Sequence, residues 1–133
     1  MKPNPFHKYV GPEDHLQHQV ITWLAWQYPK LKYHHSPNEG KRSKFEQFKF
    51  KYLGSDSGFP DLIFPEIHLV IELKIKPNKP TPAQREWLDY FRSIRWTAEV
   101  CYSFDEAIGV IRDEVKIYNL LKPEDNRHGV IHD

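Results

Sequence analysis

A chain of 133 residues has room for one domain with a core of its own and not for two, so a single functional site is expected. Four Trp, seven Tyr and eight Phe argue against disorder through most of the chain, and a formal charge of only +1 means that a nucleic-acid partner must be held by a local basic face. The single cysteine, Cys101, excludes an intramolecular disulfide and a cysteine-based structural zinc site, and fits a reducing, cytoplasmic location.

Residues 1–12, with Pro3, Pro5, Gly11 and Pro12, read as a loose arm without the apolar run of a signal peptide. No stretch of the chain is apolar for long enough to span a bilayer, so no membrane partner is expected. Pro12 suits the first position of a helix that runs to about Tyr28, with Leu16, Val20, Ile21 and Leu24 forming its inward stripe and Glu13 and Gln17 on or beside it. Leu31 to His35 can form a strand, which Ser36-Pro37-Asn38-Glu39-Gly40 breaks with turn-forming residues. Phe45, Phe48 and Tyr52 recur at helical spacing, which predicts a helix within Lys41 to Leu53.

The loop from Gly54 to Pro60 leads into two apolar runs, Asp61 to Phe64 and Leu69 to Ile75, joined by Pro65-Glu66-Ile67-His68, the signature of a hairpin. After a basic, proline-flanked connection, Thr81-Pro82-Ala83-Gln84 opens a helix with a capping box and carries Trp87, Leu88, Phe91 and Ile94 inward. Thr97 to Tyr102 reads as a further strand. Ser103-Phe104-Asp105-Glu106 is a second capping box before the stripe Ala107, Ile108, Ile111 and Val115, and the polar tail from Lys122 is expected to be loose. A single domain over 1–133, with its core at about 13–115, is the expected organisation.

The chemistry concentrates in Gly58-Phe59-Pro60-Asp61 and Glu72-Leu73-Lys74. A hairpin symmetric about Glu66-Ile67 sets Asp61 opposite Glu72 and Ile63 opposite Val70, with directly opposed Cβ atoms about 4.5–5.5 Å apart. Alternation puts Asp61, Glu72 and Lys74 on one face, while Leu62, Phe64, Leu69, Ile71, Leu73 and Ile75 line the other. Two carboxylates so close repel unless a cation or a shared proton intervenes, and hard oxygen ligands favour Mg²⁺ or Mn²⁺. Such an ion suits phosphodiester hydrolysis, with Lys74 orienting the attacking water or steadying developing charge. An exposed Glu72/Lys74 ion pair beside a loop acid is the bland alternative for this short motif. The histidines offer no convergent third ligand for zinc, and no Gly-rich phosphate loop or Ser or Cys nucleophile motif is present.

In their order along the chain, Ser36-Pro37-Asn38-Glu39-Gly40, Gly58-Phe59-Pro60-Asp61, Glu72-Leu73-Lys74 and Gln84-Arg85-Glu86-Trp87 resemble the virus-type replication-repair nuclease domain, VRR-NUC, of the PD-(D/E)XK superfamily, over roughly Glu13 to Val115. The resemblance implies an α/β fold with a mixed central sheet flanked by helices, as in restriction endonucleases. It implies that Asp61, Glu72 and the Leu73 carbonyl bind Mg²⁺ or Mn²⁺, with Lys74 as the catalytic lysine. Gln84 would support the site, Glu13 would lie close to the metal and Gln17 would occupy a polar position of the family. Each has a plainer role open to it: Gln84 as a helix cap, Glu13 at the positive end of a helix dipole, Asn38 and Glu39 in a turn.

Between Lys41 and Lys51 five basic residues, Lys41, Arg42, Lys44, Lys49 and Lys51, stand against one acid, Glu46, and with Lys76 and Lys79 they are the candidates for phosphate contact. Nothing suggests direct base reading, and a restriction-type enzyme would need an added recognition region. Stand-alone relatives imply a homodimer, branched DNA such as four-way Holliday junctions, roles in DNA repair and recombination, and a phage or prophage protein acting inside the host cell. The competing expectation is a nuclease-like module that binds DNA without cutting it.

Overall fold

The computed structural model describes residues 4–5, 10–36, 43–54 and 58–122. Expectations for most of the N-terminal arm, for the tail beyond Lys122, and for Asn38, Glu39, Lys41 and Arg42 lie outside the described residues. Among the described residues no helix is long and apolar enough to cross a membrane.

The first helix, α1 (Pro12–Gln27), starts at the proline as the sequence predicts. Gly11 has no side chain to cap with, so the reciprocal contact alone forms, the Gly11 N–H donating to Asp14 Oδ2 at 3.0 Å. Leu16, Val20 and Leu24 are buried, and Ile21 is half-buried at the edge of the same stripe. The next strand, β1, keeps only His34–His35 of the expected Leu31 to His35. Leu31 is buried outside the ladder, where its N–H donates to the Tyr28 carbonyl in the turn after α1. A helix does form in the following segment, α2 (Lys44–Tyr52), capped by Ser43, whose Oγ accepts from the Glu46 N–H at 3.2 Å. Among the described residues, however, no other helix or strand packs substantially against α2, and Phe45, Phe48 and Tyr52 are exposed.

The hairpin is β2 (Leu62–Phe64) and β3 (Leu69–Leu73), shorter at its open end than the apolar runs suggest. Its register is the expected one, with Leu62 opposite Ile71, Ile63 opposite Val70 and Phe64 opposite Leu69. The strand β4 (Thr97–Cys101) runs parallel to β3, and the crossover between them carries α3 (Pro82–Ser93). A parallel neighbour requires such a crossover, because a tight turn reverses direction. The chain closes with α4 (Phe104–Leu121). The sheet is mixed, in the order β1-β2-β3-β4, antiparallel except between β3 and β4.

Two cores flank this sheet. On one face Leu62, Phe64, Leu69, Ile71 and Leu73 meet α1 and α4 through Leu16, Val20, Leu24, Ala107, Ile111 and Val115. On the other, Val70 and Ala98 meet α3 through Leu88 and Phe91, ringed by the partly buried Phe59, Trp87 and Trp96. Ile94, expected inward, instead ends α3 and is 44 % exposed, since the helix stops where its own stripe would continue. The Ser103 box is half-formed: its Oγ accepts from the Glu106 N–H at 3.1 Å, while the Glu106 carboxylate takes the Ser103 hydroxyl at 3.4 Å instead of the backbone N–H. The result is an α/β sandwich with α1 and α4 on one side of the sheet and α3 on the other.

Candidate active site

Extending the β2/β3 register by one pair brings Asp61 opposite Glu72. Asp61 itself stands just before β2, and its side chain takes over a ladder contact: Oδ2 accepts the Leu73 N–H at 2.7 Å. That bond orients the carboxylate against β3. In an antiparallel pair a residue's N–H and C=O leave the strand on the same side, so the Leu73 carbonyl is directed toward the Asp61 side of β3.

Glu72 and Lys74 share the α3 face with Val70, as alternation requires, and both are buried, to 2 % and 8 % exposure. This removes the bland alternative of an exposed ion pair. Glu72 Oε1 accepts from Gln84 Nε2 at 3.4 Å, whereas Oε2 is buried without a hydrogen-bond partner. Burial, chiefly, and then the hydrogen bond and charge of Asp61 push the Glu72 carboxyl far above the usual carboxylate range, with Lys74 pulling it back and Glu13 adding to the rise. A protonated Glu72 hydrogen-bonded to Asp61 and an ionised Glu72 with an orphaned oxygen are two states of one site.

Gln84 serves two purposes at once. Its Oε1 accepts the Thr81 N–H at 2.9 Å and Thr81 Oγ1 accepts the Gln84 N–H at 3.2 Å, the full capping box; its Nε2 is what reaches Glu72. The cap thus fixes the amide with its donor end toward the acid. Glu13, in the first turn of α1, is exposed, yet the protein around its carboxyl raises its pKa, with Asp61 and Asp14 adding to the rise and Lys74 opposing it. Those influences place Glu13 within electrostatic reach of the Asp61/Lys74 pair. Gln17, one turn on, is half-buried.

Two residues that position the site were not legible as such. Ser36, read as a turn residue within a motif of the VRR-NUC resemblance but with no partner assigned, donates its N–H to the Asp61 carbonyl at 2.9 Å and its hydroxyl to the Pro60 carbonyl at 2.7 Å, pinning the loop that carries Asp61. Gly58 lies so close to α3 that a Cβ there would meet the Ala83 backbone carbon and oxygen at 2.6 Å. Both contacts join segments far apart in sequence, and local pattern carries no trace of them.

Of the candidate phosphate ligands, Lys44, Lys49 and Lys51 are exposed on α2, while Lys76 and Lys79 are exposed beyond β3, Lys76 with its ammonium 6.0 Å from the Tyr102 ring centre. His34 and His35, expected on opposite faces of a strand, sit with their rings 6.1 Å apart and nearly parallel, because a two-residue strand end does not enforce alternation. Among the described residues no three His, Cys, Asp or Glu side chains converge as a metal cluster. Cys101 is buried, and burial together with Glu106 and Glu99 pushes its thiol up to about 12, so it supplies no thiolate.

The family model of the VRR-NUC domain matches residues 11–105, which hold all of these site residues. The chain belongs to the VRR-NUC family. A solved structure of a VRR_NUC domain protein is similar to it at 33 % identity and a TM-score of 0.64, over 78 % of this chain and 88 % of that one. No curated protein matches the sequence. The VRR-NUC assignment makes this a nuclease-type domain with a restriction-endonuclease-like fold, the mixed sheet and flanking helices described above.

Proposed function

We propose that this VRR-NUC domain is a metal-dependent, structure-selective DNA endonuclease that hydrolyses phosphodiester bonds. The observation that carries the reading is the buried Glu72 Oε2 without a partner, opposite the Asp61 carboxylate and beside Lys74. A buried anionic oxygen with no donor is costly, and a cation between the two carboxylates removes that cost. Two carboxylates and a backbone carbonyl are hard oxygen donors, too few for a closed cage but suited to Mg²⁺ or Mn²⁺, which keep several waters.

Asp61, Glu72 and the Leu73 carbonyl would hold the ion, with Glu13 at the rim. Bound there, it would neutralise charge on the scissile phosphate and lower the pKa of a coordinated water. The chain's own groups do the rest. The Leu73 N–H fixes the Asp61 carboxylate, and the Gln84 amide holds one Glu72 oxygen so that the other faces Asp61. Lys74, buried beside these acids, holds the water or steadies charge on the phosphate oxygens. Lys76, Lys79 and the lysines of α2 contact the DNA backbone.

Selectivity for branched DNA such as four-way junctions, and a two-fold dimer presenting two sites to two strands, form the finer part of the proposal and rest on the family resemblance. A place of action inside the host cell of a phage or prophage, in DNA repair or recombination, rests on that resemblance and on the single cysteine. The test is cleavage of labelled four-way junction, flap and linear duplex DNA with Mg²⁺ or Mn²⁺ by the wild type, Asp61→Ala and Lys74→Ala, with sedimentation to give the oligomeric state. Cutting by the wild type alone, with DNA binding retained in both variants, is the expected outcome. Binding without cutting under either metal would make this a nuclease-like DNA-binding module instead.

A further inference from the structure

The feature that the catalytic face does not account for is α2. It is nine residues long, and no other described element packs substantially against it. Isolated helices of that length are marginal in water, and most helical stability in proteins comes from packing one face. Yet Phe45, Phe48 and Tyr52 are 72 %, 65 % and 80 % exposed, and the rings of Phe48 and Tyr52 lie 6.0 Å apart at a shallow interplanar angle of 25°. Singly exposed apolar residues are ordinary, but three aromatics on one stripe are a surface built to be covered.

The charges on either side identify the cover. Residues three and four apart are neighbours on a helix surface. Lys49 therefore borders the stripe beside Phe45 and Tyr52, while Lys44 and Lys51 border it on the other side beside Phe48. The one acid of the helix, Glu46, lies away from the stripe. Two copies of α2 meeting stripe to stripe would bring these lysines together with no acid between them. A nucleic-acid strand has the opposite character, since its bases offer flat apolar faces to the aromatics and its phosphates meet the flanking ammonium groups.

We propose that α2 is a stacking platform for unpaired nucleotides of the DNA substrate, its aromatics holding bases and its lysines the adjoining phosphates. The inference rests on the DNA-nuclease reading and shifts its preferred substrate from fully paired four-way junctions to branches with a single-stranded segment near the cut, such as flaps. Base-paired DNA keeps its base faces stacked inside the duplex, so only unpaired bases can use the platform. Tyr52 precedes Asp61 by nine residues, so the chain keeps the end of α2 within about 30 Å of the catalytic acids.

The test compares the wild type with Phe45→Ala/Phe48→Ala/Tyr52→Ala and with Phe45→Tyr/Phe48→Tyr, which keeps every ring. Alanine is the best helix former and these side chains are exposed, so the fold is retained. Binding is measured in EDTA on blunt duplex and on duplex with an unpaired tail containing 2-aminopurine, whose fluorescence falls on stacking. The expected result is quenching by the wild type and the double-Tyr variant, and a loss of about tenfold or more in tailed-duplex affinity for the triple-Ala variant. Affinity of that variant for blunt duplex changes less than twofold. The proposal is overturned if the triple-Ala variant binds and quenches like the wild type, or if the wild type sediments as a dimer that the triple-Ala variant dissociates. Cleavage with Mg²⁺ separates the two readings. Quenching that depends on the rings, in a protein that never cuts, keeps the platform and removes the nuclease; cutting with ring-independent binding does the reverse.

Discussion

At the residue scale the site depends on how few partners Glu72 has. Asp61→Asn keeps an oxygen that can accept the Leu73 N–H while removing the charge, so it should leave stability within about 1 kcal/mol of the wild type. Cleavage, in contrast, should fall by about 100-fold or more, as it should on chelation of the metal; thermal melts and single-turnover assays check the two halves. Glu72 yields a prediction in the opposite sense. Its carboxyl is raised above its ordinary 4.5, so the folded protein retains a proton that the unfolded chain gives up. The folded state then binds more protons, and stability falls as pH rises above 4.5 toward the raised value. Glu72→Gln should remove that dependence. Without metal the variant should gain on the order of 1–3 kcal/mol over the wild type as pH is raised from about 5 to about 8, and added Mg²⁺ should narrow the gap. Denaturant melts at several pH values would refute this if the two curves ran parallel. Asp61, Glu72 and Lys74 were legible in the sequence because a hairpin's register and alternation follow from its length and apolar pattern. The burial of Glu72 and its orphaned oxygen were not, since both depend on α3 lying over that face.

At the element scale, α3 couples stability to the site, because its first turn is both a helix cap and the floor beneath the Asp61 loop. Gly58→Ala should force the loop off the Ala83 backbone, costing about 1–3 kcal/mol in stability and lowering the cleavage rate by displacing Asp61 from its place opposite Glu72. Ala83→Gly should not rescue it, because the closest atoms are the backbone carbon and oxygen of residue 83 and not its methyl. Equal rates for Gly58→Ala and the wild type would remove this coupling. Helices were readable from apolar spacing and caps, and α1, α3 and α4 bury the centre of each predicted stripe, with Ile21, Trp87 and Ile108 half-buried and Ile94 exposed at its edges. The same spacing in α2 selects residues that face outward, because periodicity reports that a helix has an apolar side and not what covers it.

At the scale of the whole molecule the near-neutral charge makes DNA affinity local. Lys76→Ala/Lys79→Ala should weaken binding across sequences alike and reduce the dependence of log affinity on log salt by up to about 2, which a titration over salt concentration measures. An unchanged slope would place the DNA away from the end of β3. Two cores on opposite faces of a four-stranded sheet explain how so short a chain holds a buried polar site. One face gives α1 and α4 an uninterrupted apolar surface, and the other spends part of its area on Glu72 and Lys74. Local periodicity and turn chemistry were enough to read the order of the elements, the hairpin register and the face shared by Asp61, Glu72 and Lys74, but not the ends of β1 and of the hairpin strands. Tertiary packing alone brings Ser36 onto the Asp61 loop, sets Gly58 against α3, and turns Gln84, whose capping box the sequence predicts, toward Glu72. Those contacts join distant segments whose meeting depends on the packing of the whole chain, and no local pattern encodes it.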